Sequence, residues 1–255
     1  MSEVTCRIGS MCGRYVSSKA VGDIVTFFDV ERVGEELASP SWNVAPTVPI
    51  NIVLDSIPKD RAAEGDASTV RRLEAARWGL VPPWAKDIAV GARMFNARIE
   101  EAADKSAFRT AVKKRRAAIP ASGYYEWQKL ADGSKAPFFI SPDGDDSLFA
   151  FAGLYEWWRN PAAADDAPDR WVLSATILTQ DSVGPLAEIH DRMPVVLEPD
   201  ALDHWLDPHV EGDADLLDDI AGASVDMIET FELRPVGREV GNVRNDSPAL
   251  IEPLA

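Results

Sequence analysis

Cys12 has the most distinctive chemistry in this chain because of the residue that precedes it. It follows Met11, and an initiator methionine is removed readily when the next residue is as small as cysteine. If translation starts at Met11, the mature chain begins with a residue that carries both a thiol and an α-amine, which titrates at about pH 8. An aldehyde would form an imine with that amine, and the thiol would close the imine to a stable thiazolidine. The structural alternative is a small buried cysteine.

Three other residues could assist such a reaction. His190 lies in Ile-His-Asp-Arg-Met-Pro at 189–194, and histidine titrates near neutral pH, as a general acid should. Glu126 lies in the aromatic segment Gly-Tyr-Tyr-Glu-Trp, where a carboxyl could exchange protons; Glu156 follows a near-duplicate pattern, and pattern alone does not rank the two. The amide of Asn96 could hold a sugar oxygen or a developing oxyanion. Each also has a structural alternative: a hydrogen-bonded histidine, an exposed strand carboxylate and a turn or cap asparagine.

Cationic and aromatic residues near these candidates suit a nucleic acid. Arg14, Arg98 and Arg192 each stand beside one of them, and the guanidinium matches phosphate geometry. A run of basic residues and several tryptophans could bind phosphates and stack on bases, although a solvated surface and core packing are the more common uses of such residues. They are Arg109, Lys113, Lys114, Arg115 and Arg116, and Trp42, Trp78, Trp84 and Trp127.

The net charge of −16, with 42 acidic against 26 basic residues, by itself argues against a nucleic acid partner, because binding phosphate needs local positive charge. The acidic residues, however, cluster in predicted surface loops at 55–66, 143–146, 165–169 and 207–219. Lysine is also scarcer than arginine, and lysine-poor acidic surfaces are typical of proteins from salt-rich cytoplasm. At molar salt the Debye length is only about 3 Å, so these loops would hardly repel DNA from a separate groove. We therefore expect a halophilic source.

The elements that must position these residues are mainly strands. Periodicity predicts helices at 21–37, 107–114, 200–206 and 213–220. It predicts strands at 50–54, 71–80, 116–127, 136–140, 148–158, 171–179, 231–235 and near Val243. Polar loops join the strands, and no Gly-rich phosphate loop follows any of them. The 255 residues therefore predict one α+β domain built on antiparallel sheet.

Several functional classes are not expected. No apolar run approaches the roughly 18 residues of a membrane helix, and residues 1–10 lack a signal-peptide core. Two cysteines, Cys6 and Cys12, are too few for a disulfide scaffold or a zinc site of their own. We expect a cytoplasmic monomer without membrane association, with no metal and no cofactor.

Six ordered motifs resemble the SRAP family of SOS-response-associated peptidases, from Met11 to about Asn245. They are Met-Cys-Gly-Arg-Tyr at 11–15, Trp-Asn-Val-Ala-Pro-Thr at 42–47, Arg-Trp-Gly-Leu-Val-Pro-Pro-Trp at 77–84, Asn-Ala-Arg-Ile-Glu at 96–100, Gly-Tyr-Tyr-Glu-Trp at 123–127 and Ile-His-Asp-Arg-Met-Pro at 189–194. The resemblance implies one SRAP-like domain over 11–255, with an antiparallel β-barrel-like core and flanking helices. It also implies a sensor that cross-links itself to abasic sites in single-stranded DNA and associates with the nucleoid when bound.

The resemblance also assigns residues. It implies Cys12 as nucleophile with Asn96, Glu126 and His190 as catalytic partners, and so selects Glu126 over Glu156. It implies that DNA is held by Arg14, Asn43, Trp78, Arg98 and Arg192.

One feature departs from the family pattern, because the chemistry needs a free amine on Cys12 and ten residues precede Met11. Residues 1–10 are therefore expected to lie upstream of the true start or to be removed, which a self-processing peptidase activity would cover. A lyase activity would branch from the same imine. The alternatives are a cysteine-type or serine-type peptidase, and a non-catalytic reader of single-stranded or modified DNA.

Overall fold

The structure is a computed structural model that describes residues 13–142 and 147–254. Cys6, Met11 and Cys12, together with the 1–10 extension, lie outside the described residues. The strands are β1 Tyr15–Ser17, β2 Arg32–Val33, β3 Ser41–Val44, β4 Pro49–Ser56, β5 Val70–Trp78, β6 Asn96–Arg98, β7 Arg116–Ala121, β8 Gly123–Lys129, β9 Lys135–Ser141, β10 Phe149–Arg159, β11 Trp171–Asp181, β12 Arg192–Pro194, β13 Val196–Leu197 and β14 Glu232–Pro235. The helices are α1 Val21–Phe27, α2 Lys59–Ala63, α3 Ile99–Ala102, α4 Arg109–Lys114, α5 Leu202–Leu206 and α6 Ala214–Ile228.

Five strands close into a barrel. β4 pairs with β5 and β7, β10 pairs with β7 and β11, and all of these pairs are antiparallel. The ring closes where β11 runs parallel to β5, with Ser174 opposite Arg77. Alternate residues of each strand point inward, as the pleat requires, and fill the barrel with apolar side chains such as Ile52, Ile119 and Ile177.

Helices α1, α3, α4, α5 and α6 cover the outer face of the barrel. The residues between the inward-facing ones, such as Val53, Ala118 and Leu154, pack in a second apolar cluster with residues of α1, α3, α4, α5 and α6. A barrel filled inside and covered outside leaves its ends as the places where polar groups can meet.

A second sheet lies against the barrel, with the strand order β14-β9-β8-β1-β3. One of its faces sends Tyr15, Tyr124 and Ile140 into the cluster that fills the barrel. Its other face, through Tyr125, packs under the C-terminal segment that contains Val240. The N-terminal strand β1 is thus held between β8 and β3, next to the barrel interior.

The predicted α+β fold with a barrel-like core is confirmed, and the single-domain architecture with it. The prediction of one strand over 116–127 is wrong, since β7 joins the barrel and β8 the second sheet. The break falls at Ser122, whose N–H bonds to the carbonyl of Val16 at 2.8 Å instead of continuing a single strand pairing.

Two further predictions of elements are wrong. The helix expected over 21–37 ends at Phe27, because Asp29 adopts a left-handed conformation with φ 52° that stops a helix. The chain then adds β2 to the edge of β5. The strand expected near Val243 is absent, because Val243 lies in a turn and is 55% exposed.

No helix in 13–142 or 147–254 combines the length and apolar character needed to cross a membrane.

Candidate active site

The chain enters the candidate site along β1. Tyr15 pairs with Tyr124 of β8, and the carbonyl of Arg14 accepts a hydrogen bond from the N–H of Tyr125 at 3.0 Å. Continued by two residues, this antiparallel register sets Gly13 across from Glu126. Cys12, the residue before Gly13 in the sequence, lies outside the described residues.

Glu126 is buried where the second sheet meets the barrel. It is two residues beyond Tyr124, so both side chains lie on the barrel-facing side of β8, and only 3% of Glu126 is exposed. Its partner across β9 is Phe138, which packs on the same barrel cluster. A carboxyl in this position is sheltered from bulk water and close to the entry of the N-terminal strand.

His190 approaches the same place from the end of β11. It follows a 3-10 turn, Gly184–Glu188, and Leu186 and Met193 on either side of it pack into the barrel cluster. The side-chain amide of Gln128 donates to the carbonyl of Glu188 at 3.1 Å, which ties β8 to this turn. The segments that carry Glu126 and His190 are therefore neighbours.

Three polar groups lie close to Nδ1 of His190. The backbone N–H of Arg192 is 3.1 Å away and the carbonyl of Arg192 is 3.3 Å away, so whether Nδ1 donates or accepts depends on the tautomer of the ring. The carboxylate of Asp191, 88% exposed, lies 3.1 Å from Nδ1 and forms an ion pair when the ring is protonated. The protonated ring could therefore donate a proton from Nε2 while Asp191 balances its charge at Nδ1.

Asn96 begins β6, which runs parallel to β11 and sets Asn96 opposite Ile177 of the barrel wall. The residue before it, Phe95, places its ring against the barrel residue Trp78, with centroids 5.9 Å apart. Asn96 is partly buried. The three predicted catalytic residues that the structure describes therefore come from three segments, and each segment has residues packed on the barrel cluster.

Arg192 is enclosed rather than open to a ligand. Its side chain is 7% exposed and holds both carboxylate oxygens of Glu100, at 2.8 and 2.9 Å, together with Asp181 and the carbonyl of Thr179. Although burial alone would lower the pKa of Arg192, its hydrogen bonds to Glu100 and Asp181 raise it. Sequence reasoning did not single out Glu100 or Asp181, although Glu100 closes the motif at 96–100.

Arg14 and Asn43 bind the C-terminal segment. The guanidinium of Arg14 donates to the side-chain oxygen of Asn43 at 3.0 Å and to the carbonyl of Val240 at 2.9 Å. The amide nitrogen of Asn43 donates to the carbonyls of Val240, Asn242 and Asn245 at 2.8–3.2 Å. The two residues therefore fix the segment beside β1, next to a groove of about 420 Å³ that Asn43 and Tyr15 also line.

Trp78 does not fit the predicted contact with DNA. It is 0% exposed, and its indole N–H donates to the carbonyl of Phe95 at 2.8 Å, so it is a core residue that positions the segment before Asn96. Trp84, by contrast, is 58% exposed, and Arg98 is exposed at the end of β6. These two side chains are open to a ligand.

The predicted basic cluster is largely structural. Arg116 is buried and donates to five backbone carbonyls, among them those of Trp205 and Asp207 at 2.6 Å. Arg115 pairs with Glu156 at 2.6 Å, and Lys113 with Glu211 at 2.7 Å. Much of the positive charge in this run is already neutralised or buried.

Within 13–142 and 147–254, no group of three or more histidine, cysteine, aspartate and glutamate residues is placed to hold a metal ion.

Comparison with known proteins relates the chain to one family over most of its length. The family model described as SOS response associated peptidase (SRAP) matches residues 11–243. The abasic site processing protein YoqW of Bacillus subtilis is 35% identical over 244 residues, covering 95% of this chain and 99% of that protein. YedK of Escherichia coli, also named an abasic site processing protein, is 30% identical over 249 residues, covering 96% and 100%.

The likeness extends to a vertebrate protein and to solved structures. The abasic site processing protein HMCES of Xenopus tropicalis is 29% identical, covering 93% of this chain and 77% of that protein. A crystal structure of a protein from Bacteroides thetaiotaomicron superposes with a TM-score of 0.73 at 18% identity, covering 96% of this chain and all of the other. At that identity the structural likeness bears on the fold.

Proposed function

The chain belongs to the SOS response associated peptidase (SRAP) family, and we propose that it recognises abasic sites in single-stranded DNA and joins itself to them through Cys12. The observation that supports the proposal is the pairing of β1 with β8, whose register, if continued by two residues, would set Gly13 across from the buried residue Glu126. An N-terminal cysteine would start one residue from that point. The names of the relatives supply the substrate class, and the chemistry of the residues supplies the reaction.

The first step opens the sugar. An abasic deoxyribose is mostly a closed hemiacetal. The protonated ring of His190, with Asp191 beside Nδ1, would give a proton to the ring oxygen while the anomeric hydroxyl loses its proton, and the sugar opens to the aldehyde. Asn96, at the start of β6, would hold the sugar and the terminal amine through its amide.

The second step forms the covalent bond. The carboxylate of Glu126 takes a proton from the terminal ammonium, and the neutral amine of Cys12 attacks C1′. Loss of water gives an imine, and the thiol adds to it with a proton moving from sulfur to nitrogen, which closes the thiazolidine. Removal of the 2′ proton from the imine would instead expel the 3′ phosphate, so a lyase activity is a branch of the same intermediate.

The DNA strand would bind mainly through the groups that remain open. Arg98 lies two residues from Asn96 on the same side of β6, where it can reach a phosphate beside the sugar. Trp84 offers an exposed ring for base stacking. Arg14, Asn43 and Arg192 would instead shape the site, because their polar groups are already bonded within the protein.

The experiment compares chains that differ only at the N-terminus. A chain that begins with Cys12 should form a heat-stable adduct with an abasic single-stranded oligonucleotide, detected on a denaturing gel. The chain of 255 residues, with residues 1–11 verified intact by mass, should form none, because its Cys12 nitrogen is an amide without a nucleophilic lone pair. A stable adduct from the intact extended chain would overturn the thiazolidine reaction.

Three cysteine variants test which bonds form and distinguish the alternative functions. Cys12→Ser with a free N-terminus should give an imine that borohydride traps but little adduct that survives heating, since an oxazolidine is less stable. Cys6→Ala should change nothing, because Cys6 belongs to the segment expected to be lost. A Cys12→Ala variant that loses affinity for DNA altogether would favour a non-covalent reader, and turnover of peptides would favour a peptidase.

The acidic surface, we further propose, suits a salt-rich cytoplasm.

A further inference from the structure

Trp157 and Trp171 form an exposed aromatic pair at one end of the barrel, and we propose that a base of single-stranded DNA beside the lesion stacks on this pair. The two side chains are 43% and 54% exposed. The inference rests on the proposed function for its ligand, because a strand that carries an abasic site continues beyond it. It adds a second binding site, which takes the face of a base rather than the damaged sugar.

The pairing of β10 with β11 places both tryptophans on one face of the sheet. Trp157 is opposite Leu173, and Trp171 is opposite Arg159, so the two tryptophans are diagonal neighbours. Diagonal neighbours on antiparallel strands are about 7–8 Å apart, within the reach of aromatic side chains. Stacked bases are about 3.4 Å apart, so this spacing leaves room for one planar base between two rings.

The tryptophan pair lies beyond the packed interior of the barrel. Tyr155 and Leu173 are the next residues towards the interior on the same face, and each is 7% exposed within the cluster that fills the barrel. The tryptophans thus continue the inward-facing rows past the point where the barrel is filled. Stacking on such rings does not depend on base sequence, because every base has a π-face.

Arg159 supplies a cation beside the pair that a phosphate can recruit. Its side chain is 57% exposed and pairs with Asp165 at 3.1 Å, and Asp165 is itself 88% exposed. An ion pair this open to water contributes little stability. Asp165 also accepts from Arg170 at 2.5 Å, so it keeps a cationic partner when Arg159 turns to a phosphate.

The charge of the chain favours stacking, rather than many phosphate contacts, as the source of affinity at this end. The net charge is −16. The neighbouring cavity of about 670 Å³, which Leu173 also lines, contains three arginines and three glutamates, so their charges balance. Salt weakens phosphate contacts because they release counterions, whereas a base stacked on an aromatic ring releases none. Contact through the face of a base is therefore the form of DNA binding that suits this surface.

The pair is within reach of a strand held at the candidate site. Trp171 lies six residues before Ile177 on β11, and Ile177 is opposite Asn96. At about 3.3 Å per residue the separation along the strand is about 20 Å, which about six stacked nucleotides cover at 3.4 Å each. An OB-fold barrel binds about 4–16 nucleotides, so a strand of ordinary site size can contact both places.

Binding of abasic strands of two lengths to the full chain tests the proposal. With a strand of about 20 nucleotides and a central lesion, Trp157→Ala and Trp171→Ala should each weaken binding by about tenfold, as expected for loss of one stacked base. Trp157→Phe and Trp171→Phe, which keep a ring, should restore most of the affinity. With a strand of about 5 nucleotides the affinity should not change, because this strand ends before the pair. Phe27→Ala, which removes a 48% exposed ring from α1, is the matched control for both strands.

Salt separates stacking from phosphate contacts in the same anisotropy titrations. The loss in the tryptophan variants should be equal at low and at molar salt, whereas Arg159→Ala should reduce the slope of log K against log salt by about 0.7. Equal losses for the two strand lengths would overturn the proposal. Unchanged affinity for the long strand in both alanine variants would also overturn it, and a dimer that these variants dissociate in sedimentation would then identify the pair as a contact between copies.

Cross-linking distinguishes a failure of this inference from a failure of the proposed function. On a chain that begins with Cys12, each tryptophan-to-alanine change should raise the concentration of long strand that gives half of the maximal rate by about tenfold. If no chain forms an adduct, the covalent reaction fails, while the dependence of affinity on strand length still decides the role of the pair.

Discussion

Residues 123–127 and 153–157 are two segments of nearly the same sequence in different places. Gly-Tyr-Tyr-Glu-Trp begins β8 in the second sheet, and Gly-Leu-Tyr-Glu-Trp lies within β10 in the barrel wall. Both glutamates are buried, with 3% of Glu126 and 4% of Glu156 exposed. Local sequence and burial therefore do not distinguish them.

The neighbours of the two segments distinguish the two glutamates. Glu156 accepts from Arg115 at 2.6 Å and from the N–H of Trp157 at 2.9 Å, so it belongs to a structural ion pair near the end of α4. Glu126 lies instead on the strand that pairs with β1, and Gln128 of the same strand donates to the carbonyl of Glu188 in the turn before His190. What a carboxylate can do is thus set by the strand that pairs with it, which lies far away in sequence.

The largest expected difference between the segments is in the cross-linking rate. Glu126→Gln keeps the shape of the side chain but removes the base, so the rate should fall by about 10²–10⁴-fold, as should the rate of His190→Ala. Glu156→Gln should leave the rate within about twofold. The measurement is the single-turnover rate of adduct formation on an abasic oligonucleotide, from pH 6 to pH 8.

Binding of the same oligonucleotide, measured by fluorescence anisotropy, is the control for that comparison, and it should be largely unchanged in all three variants. Equal losses of rate in Glu126→Gln and Glu156→Gln would end the distinction drawn here. Unchanged rates in both Glu126→Gln and His190→Ala would remove the proton-transfer assignment.

The sequence could predict elements whose signal is local. Alternation of apolar residues indicated the strand at 171–179, and β11 confirms it, running from Trp171 to Asp181. The closing of the barrel could not be predicted this way, because the parallel pairing of Ser174 with Arg77 leaves no periodic signal in either strand. The single strand expected over 116–127 failed for the same reason, since both halves are apolar and only their partners differ.

The candidate site also has features that the sequence could predict and features that it could not. The motifs indicated Asn96, Glu126 and His190 by residue type and order, and their roles stay predictions. Burial could not be read from the same motifs: Trp78 looked like a stacking surface but fills the core, whereas Trp84, six residues later, is exposed. The pairing of Arg192 with Glu100 could not be read from the motifs either, because each residue by itself is an ordinary surface charge in the sequence.

The glycines that open the two segments should differ in tolerance of a methyl group. A Cβ at Gly123 would lie 2.2 Å from the ring of Phe139, whereas one at Gly153 would meet the flexible end of Ile119 at 2.7 Å. Overpacking costs about 1–3 kcal/mol, and we expect Gly123→Ala near the upper end and Gly153→Ala near the lower end. Urea unfolding of each variant gives the free energies, and the reverse order would contradict the packing described.

The tyrosines before the two glutamates, Tyr125 and Tyr155, should show a smaller difference in how much their hydroxyl groups contribute to stability. The hydroxyl of Tyr125 donates to the carbonyl of Trp42 at 2.9 Å, so Tyr125→Phe should cost about 1 kcal/mol of unfolding free energy. The hydroxyl of Tyr155 makes no hydrogen bond within the part of the chain that the structure describes, so Tyr155→Phe should be nearly neutral. Thermal unfolding of the pair provides the measurement, with equal shifts in Tm as the contrary result.

The smallest expected difference is in how the unfolding free energy depends on pH, and it comes from Glu156. Burial raises the pKa of Glu156 above its ordinary 4.5, in spite of Arg115. A raised pKa in the folded state means that the folded protein holds this proton more tightly than the unfolded chain does. Its stabilising contribution is therefore complete below pH 4.5 and is lost as the pH rises through the folded-state value.

Glu156→Gln isolates this effect, because glutamine resembles the protonated carboxyl and does not titrate. The two proteins should have similar unfolding free energies at pH 4. As the pH rises to 7, the unfolding free energy of the variant should increase relative to that of the parent. Glu101→Gln is the matched control with the opposite sign: the hydrogen bond from Lys105 lowers the pKa of Glu101, so the parent should gain on that variant over the same range. Urea titrations of the three proteins at pH 4, 5.5 and 7 measure both differences. If the parent gained on Glu156→Gln with rising pH, the Arg115 ion pair would dominate over burial, and Glu156 would be a stabilising charge in the barrel wall.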